Sequence, residues 1–366
     1  MSTGANTQPI QGASDKPIRV MIVDDVKSAR DLLADILATD RRFQVVASVS
    51  DGLEAVAKAL DLRPDLITMD IRLPGLDGFL AVEQILAELP VPIIMITASL
   101  GRFEEKVARA LKMGALDVME KQELYLWRTR PEVRTAFLRK LYVFARARVG
   151  QRRARPSTDP LPLAVPFRPG REKAEGDLRI VAIAASTGGP SALMALFKEV
   201  PAQVNAAFLV VQHMSRGFLD GLVRWLDDEV ELSVRLAQEG DALRPGVVLF
   251  APEDYHMLVD EDRIIRLNKS FPIGGHRPSA ELLLKSVALR FGRRAIGVIL
   301  TGMGSDGAIG LKRLKERGGR TIAQDEASSI IFGMPRAAIE EDAAEVVLPL
   351  EAIARQLVTW TRESRE

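Results

Sequence analysis

Short runs of branched apolar residues alternate with amphipathic helical patterns along most of the chain, and this alternation restricts the fold more than any other feature. Arg19 to Asp25 (RVMIVDD) is an apolar run that ends abruptly in two carboxylates. That is the pattern of a parallel strand buried on both faces, with polar groups at its C-terminal end. Val26, Ala29, Leu32, Leu33, Ile36 and Leu37 then recur at helical spacing, so a helix with one apolar face follows. The unit repeats, with strands expected over Gln44 to Val49, Asp65 to Asp70, Pro92 to Thr97 and Ala115 to Glu120, and helices over Leu53 to Leu60, Phe79 to Leu89 and Glu104 to Met113. Strands alternating with helices form an open parallel sheet covered on both faces.

The rhythm breaks between Phe144 and Asp177, where arginines cluster (ARARVGQRRARP) and prolines recur (DPLPLAVPFRPG), as in an extended, solvated linker. It restarts at Leu178 to Ala185 (LRIVAIAA), and Pro190 opens a second helical pattern through Ala192, Leu193, Leu196, Phe197 and Val200. Further buried strands are expected over Ala207 to Gln212, Val247 to Ala251 and Ala295 to Thr301. At 366 residues the chain exceeds what one hydrophobic core usually serves. The expected division is a disordered tail over 1–17, an α/β domain over 18–140, a linker over 141–177 and a second α/β domain over 178–366.

The formal net charge of +1 gives no general attraction to nucleic acid or to an anionic membrane. The absence of cysteine excludes disulfides, thiolate metal sites and a cysteine nucleophile. Met1 to Lys16 lacks the basic start and apolar core of a secretory signal, and no apolar run reaches the roughly 20 residues that span a bilayer. A cytoplasmic protein without membrane insertion is expected.

In open α/β sheets, ligands sit beyond the carboxyl ends of the strands. Asp24, Asp25, Asp70, Thr97 and Lys121 all fall at or just past such ends. Taken singly, each aspartate is an ordinary cap or turn residue. Together, three carboxylates require a neutralising cation, and oxygen-only ligation suits Mg²⁺. A carboxylate is also a usable nucleophile toward phosphorus, and a hydroxyl with an ammonium would clamp a transferring phosphoryl group.

The runs IVDD, ITMDIRLPGLDG, MITA and GALDVMEK resemble the receiver domains of two-component response regulators. The resemblance implies a flavodoxin-like (βα)5 fold with Asp70 as phosphoacceptor and Asp24 and Asp25 as the acidic pair serving Mg²⁺, with Asp25 and Asp70 as metal ligands. It further implies Thr97 as the phosphate-contacting hydroxyl, Lys121 as the cation and a histidine kinase as phosphoryl donor. Two departures stand out: Val118 occupies a position often aromatic in receivers, and Gln122 one commonly proline. The aromatic-rotamer form of receiver switching is therefore not expected here.

In the second domain Ser186 follows the strand LRIVAIAA and precedes TGGP, so its hydroxyl should emerge where a helix begins and N–H groups can hold a negative oxygen. A phosphate cradle would look similar, but the Walker lysine pattern is missing. His213 follows the strand AFLVVQ, and Asp306 lies in TGMGSDG after another strand, which delivers the residue types of a Ser-His-Asp triad to one sheet edge. Individually these residues also fit a helix cap, a buried histidine and a turn aspartate. His256 and His276 are the competing bases.

The segments AASTGGP, VVQHM, HRPSAELLLKSVA, GVILTGMGSDGAIG, AQDEASS and FGMPRAAI resemble the catalytic domain of chemotaxis protein-glutamate methylesterases. The resemblance implies a doubly wound α/β hydrolase domain with Ser186 as nucleophile, His213 as base and Asp306 as orienting acid, Met303 in the oxyanion region and no cofactor for this step. The implied substrates are glutamate γ-methyl esters, and also glutamines, of methyl-accepting chemoreceptors. A DNA-binding response regulator is disfavoured by the α/β rhythm of the output region and its lack of a basic helix-turn-helix pattern. A catalytically silent receptor-binding regulator is the alternative that only an assay separates.

Overall fold

The computed structural model describes residues 16–97, 115, 117–121, 125, 130–146 and 178–362. The helix expected over Glu104 to Met113, residue Gln122, the tail up to residue 15 and linker residues 147–177 lie outside the described residues.

The first domain carries a five-stranded sheet built from β1 (Ile18–Val23), β2 (Phe43–Val49), β3 (Leu66–Met69), β4 (Ile93–Thr97) and β5 (Asp117–Glu120), in the order β2-β1-β3-β4-β5. The pairings of β1 with β2 and β3, and of β4 with β5, are parallel. Every residue of β3 and β4 is buried, which explains why both read as continuous apolar runs. Helices α1 (Lys27–Ala38), α2 (Gly52–Leu62), α3 (Gly78–Glu88) and α4 (Pro131–Phe144) accompany the sheet. Asp51 caps α2 by accepting from the N–H groups of Leu53 and Glu54. Helix α4 runs past the boundary expected at 140, with Leu141 and Phe144 buried. Near its end Tyr142 lies between two guanidinium groups, those of Arg42 at 4.4 Å and Arg146 at 4.5 Å.

The second domain is built on a seven-stranded sheet of order β14-β13-β12-β6-β7-β9-β8 in which every pairing is parallel. Its strands are β6 (Arg179–Ala185), β7 (Ala206–Gln212), β8 (Ser233–Leu236), β9 (Val247–Phe250), β12 (Ala295–Ile299), β13 (Arg320–Gln324) and β14 (Val346–Leu348). A separate antiparallel hairpin joins β10 (His256–Val259) to β11 (Ile265–Asn268).

Alternate residues of the central strands feed two cores. Ile180, Ala182, Ala184 and Leu209 pack with α7 (Ala280–Phe291), α8 (Ala308–Glu316) and α9 (Met334–Glu340). Val181, Ile183, Phe208 and Val210 pack on the other side with α5 (Gly189–Lys198), α6 (Leu219–Glu229) and α10 (Leu350–Arg362). Each fully buried Leu, Ile or Phe in these layers contributes roughly 1.5–3 kcal/mol by its removal from water. Phe197 meets Phe208 edge to face, with ring centroids 5.5 Å apart.

Strand β6 is the central hinge of the topology. From it the chain winds outward through β7 to β9 and β8, and later returns to its other side through β12, β13 and β14. The reversal of winding leaves a crevice at the carboxyl ends of β6 and its neighbours, where doubly wound sheets bind ligands. Among the described residues no helix is long and apolar enough to cross a membrane.

Candidate active site

The three residues expected to form a triad sit at that crevice. Ser186 directly follows β6, His213 directly follows β7, and Asp306 lies in the loop between β12 and α8. Strand pairing sets their mutual placement, because Ala185 is in register with Gln212 and Ile299 with Ala184. The Ser186 N–H donates to the Thr301 carbonyl at 3.1 Å, and the His213 N–H donates to the Ala185 carbonyl at 2.9 Å.

The Asp306 side chain is largely buried and meets both His213 and the start of α7. Its Oδ2 lies 3.0 Å from His213 Nε2. The ring N–H direction misses the carboxylate, so the pair meets as a close polar contact rather than an aligned hydrogen bond. The same carboxylate accepts from the Ser279 hydroxyl at 2.9 Å and from the N–H groups of Ala280 at 2.7 Å and Glu281 at 3.0 Å. Those amides are the first of α7, so a side chain from another loop supplies the anion that the helix start favours. Burial pushes the Asp306 carboxyl up, but the contact and charge of His213, together with the two amides, outweigh it and leave the pKa below the usual carboxylate value.

His213 has its other face covered. The His276 ring stacks on it with centroids 4.1 Å apart and planes 6° from parallel. Burial lowers the His276 pKa, the adjacent His213 lowers it further, and Asp306 opposes both, so His276 is neutral near pH 7. His256, the other competing base, is fully buried and structural. Its Nδ1 accepts from the Ser279 N–H at 3.2 Å, which leaves Nε2 to carry the proton and donate to the Phe271 carbonyl at 3.1 Å.

Neither His213 nitrogen makes an aligned hydrogen bond, to Ser186 or to any other described residue. Catalytic hydrogen bonds in unliganded enzymes are often completed only with substrate in place. With Nε2 turned to Asp306, Nδ1 is the nitrogen left for Ser186. Met303 is half-buried in the loop after β12, and the backbone bonds that hold this loop use the Gly302 N–H and carbonyl, not the Met303 amide.

Sequence reasoning missed two supports. Gln212, the last residue of β7 and buried, donates through Nε2 to the carbonyls of Ser186 and His213, both at 2.8 Å. A polar residue ending an otherwise apolar strand beside the candidate histidine was the available signal. Thr301 is the second: its buried hydroxyl donates to the Thr187 carbonyl at 3.0 Å and accepts from the Ile331 N–H at 2.9 Å, tying the serine turn to the loop before α9.

Gly302 packs directly on Ser186, where an added Cβ would stand 2.8 Å from Ser186 Cβ and also collide with Met334 Sδ. Alanine at 302 is therefore expected to displace Ser186 and lower kcat by about 10²-fold, the cost of an ångström-scale misplacement. Steady-state ester hydrolysis with circular dichroism on the same sample checks this, and kcat within threefold of wild type would refute the contact. Beside His213 a cavity of about 270 Å³ is lined by that residue and by Met214, Glu253, Pro272, His276 and Arg277 among others.

In the first domain Asp24, Asp25 and Asp70 offer ligand oxygens within 4.8 Å of one another, an oxygen-only set that fits Mg²⁺. Asp24 accepts from the Val26 N–H at 2.9 Å and Asp70 from the Ile71 N–H at 2.7 Å, which orients both carboxylates. Thr97 closes β4 in register with Glu120, Lys121 follows β5, and both residues are buried, as is Val118.

Two family models match the sequence, one described as CheB methylesterase over residues 181–357 and one as response regulator receiver domain over 20–124. The chain is 42% identical over 352 residues to protein-glutamate methylesterase/protein-glutamine glutaminase 2 of Anaeromyxobacter dehalogenans, an alignment covering 95% of this chain and 98% of that protein. It is 39% identical over 350 residues to the protein-glutamate methylesterase/protein-glutamine glutaminase of Pyrococcus abyssi, covering 94% and 93% respectively. Among solved structures it is similar to the Thermotoga maritima CheB methylesterase catalytic domain, at 38% identity and a TM-score of 0.49, covering 50% of this chain and 98% of that one.

Proposed function

Since the chain belongs to the CheB methylesterase family, which its near-full-length relatives share, we propose that it carries out their chemistry with Ser186, His213 and Asp306. It is a protein-glutamate methylesterase and protein-glutamine glutaminase under the control of a receiver domain. The observation that carries the residue assignment is the contact of His213 Nε2 with Asp306, on adjoining loops of the crevice where Ser186 follows β6.

In the reaction, Ser186 Oγ attacks the γ-carbonyl carbon of the ester as His213 Nδ1 takes its proton. Asp306 holds the ring in orientation and stabilises the imidazolium. The oxyanion is stabilised by backbone N–H groups of the Ser186 turn and of the Met303 loop. Collapse of the tetrahedral species breaks the C–O bond, and methanol leaves with the proton from His213. Water then attacks the acyl-enzyme, giving up a proton to His213, and glutamate and free Ser186 are restored. With glutamine the leaving group is ammonia instead. No residue of this cycle calls for a metal.

Asp70 is the phosphoacceptor, and Asp25 and Asp70, with Asp24 beside them, would hold Mg²⁺. The cation would neutralise charge on a bound phosphoryl group. Thr97 and Lys121 would contact that group. The receiver would occupy residues 18–144, extended by the end of α4, and the hydrolase 178–366, joined by the arginine- and proline-rich segment. A histidine kinase supplies the phosphoryl group, chemoreceptors supply the esters, and the cytoplasm is where the two meet. Phosphorylation acts as a two-state switch on the hydrolase.

Methylated chemoreceptor membranes incubated with the purified chain should release methanol, and a small-molecule phosphoryl donor with Mg²⁺ should raise the rate. Asp70→Asn should abolish the increase while leaving the basal rate within about twofold. An equal donor response in wild type and Asp70→Asn would remove Asp70 from the switch.

A further inference from the structure

Next to the catalytic histidine the backbone builds a rigid finger with an apolar tip. Beyond β11 the chain reverses at Ile273 and His276, whose backbones exchange two hydrogen bonds of 3.0 Å around Gly274 and Gly275. Both glycines have positive φ, +58° and +88°, the pairing a two-residue reverse hairpin turn demands. The finger is fastened from below at three consecutive carbonyls. Arg277 Nη1 donates to those of Lys269 and Ser270, at 3.2 Å each, and the buried His256 donates to that of Phe271 at 3.1 Å.

This anchoring fixes the main chain yet leaves the apolar side chains in water. Phe271 is 89% exposed, the most exposed large hydrophobic residue among those described, and Ile273 is 40% exposed. A single exposed apolar residue on a loose loop needs no explanation. An aromatic ring held out by a buried histidine and an arginine, on a turn that ends in the histidine stacked on His213, has the pre-organised form of an interface anchor. The finger is also continuous with the cavity beside His213, which Pro272, Gly275 and His276 help to line.

We propose that the 269–276 finger is the docking element for the protein segment that flanks the reacting side chain, with Phe271 as its anchor. The inference rests on the hydrolase reading given above and adds how that site selects a protein over a small ester. Phe271 and His276 are five positions apart in the chain, a span of at most about 18 Å. The anchor therefore meets an apolar substrate residue within roughly 18 Å of the site beside His276.

The test compares wild type, Phe271→Ser and Phe271→Leu on two substrates: methylated chemoreceptor membranes and a small N-acetylglutamate γ-methyl ester. Phe271→Ser is expected to raise KM for the receptor about tenfold with kcat unchanged, to leave the small ester within twofold, and to be largely rescued by Phe271→Leu. An unchanged receptor KM in Phe271→Ser would overturn the inference. So would an equal loss on both substrates, which would make the finger part of the catalytic geometry. A rise in basal activity at constant KM would overturn it too, by showing that another part of this chain covers Phe271. Failure of wild type to hydrolyse either ester is a different result, which would overturn the hydrolase reading itself and the docking inference with it.

Discussion

Asparagine in place of Asp306 is expected to lower kcat by about 10⁴-fold, the cost of removing the acid that orients a triad histidine. It should also destabilise the fold, by about 1–3 kcal/mol, because an amide NH2 then faces donors that the carboxylate had satisfied. The two effects have one geometric origin. Oδ2 faces the Ala280 N–H and His213 Nε2, while Oδ1 faces the Ser279 hydroxyl and the Glu281 N–H. An amide has one oxygen, so whichever way asparagine turns, its NH2 group points at donors on one side. The charge that stabilises the imidazolium is lost in both orientations.

The stability component has a definite pH dependence. The folded pKa of Asp306 is lowered from its unfolded value of 3.8, so its stabilisation is complete above that value and is lost as pH falls through the lower folded one. Urea midpoints of wild type and Asp306→Asn should differ at pH 7 and converge below about pH 4. Ser279→Ala removes one donor to the carboxylate and keeps the charge, so it should cost a fraction of the stability and leave kcat within a few-fold. A kcat for Asp306→Asn within tenfold of wild type would limit Asp306 to capping α7.

Much of this was legible in the residue pattern because buried parallel strands announce themselves. β6, β7 and β12 are apolar apart from Arg179 and Gln212 at strand ends, and Ser186, His213 and Asp306, the residues proposed as a triad, lie in the loops that follow them. The same logic located Asp24, Asp70 and Thr97. Elements with weaker patterns did not show. β14 is a three-residue edge strand of partly exposed residues, and β10 and β11 form a small hairpin outside the main sheet. The supports of the site were hidden for another reason. Gln212 matters through two backbone carbonyls, Gly302 through the space it leaves for Ser186, and Ser279 through a carboxylate 27 residues away. Such contacts depend on which loops the sheet brings together, and periodicity carries no information about that. His256 and His276 divide in the same way: only the folded chain makes one a buried anchor and the other a ring stacked on His213.

Ser186→Ala carries the largest expected effect. The methyl side chain removes the attacking oxygen while leaving the Ser186 N–H bonded to Thr301 and its carbonyl bonded to Gln212, so the turn should keep its shape. Loss of a triad nucleophile costs on the order of 10⁶ in kcat, and only the residual effect of the oxyanion donors and of binding remains. The most direct measurement is methanol release from methylated chemoreceptor membranes by wild type and Ser186→Ala at matched, folded concentrations, with the wild-type reaction quenched early and its peptides mapped by mass. Wild type should release methanol, the mutant none above background, and a transient acyl adduct should be found on Ser186. Release by Ser186→Ala at a rate near wild type, or an adduct on another residue, would contradict the assignment of Ser186 as nucleophile.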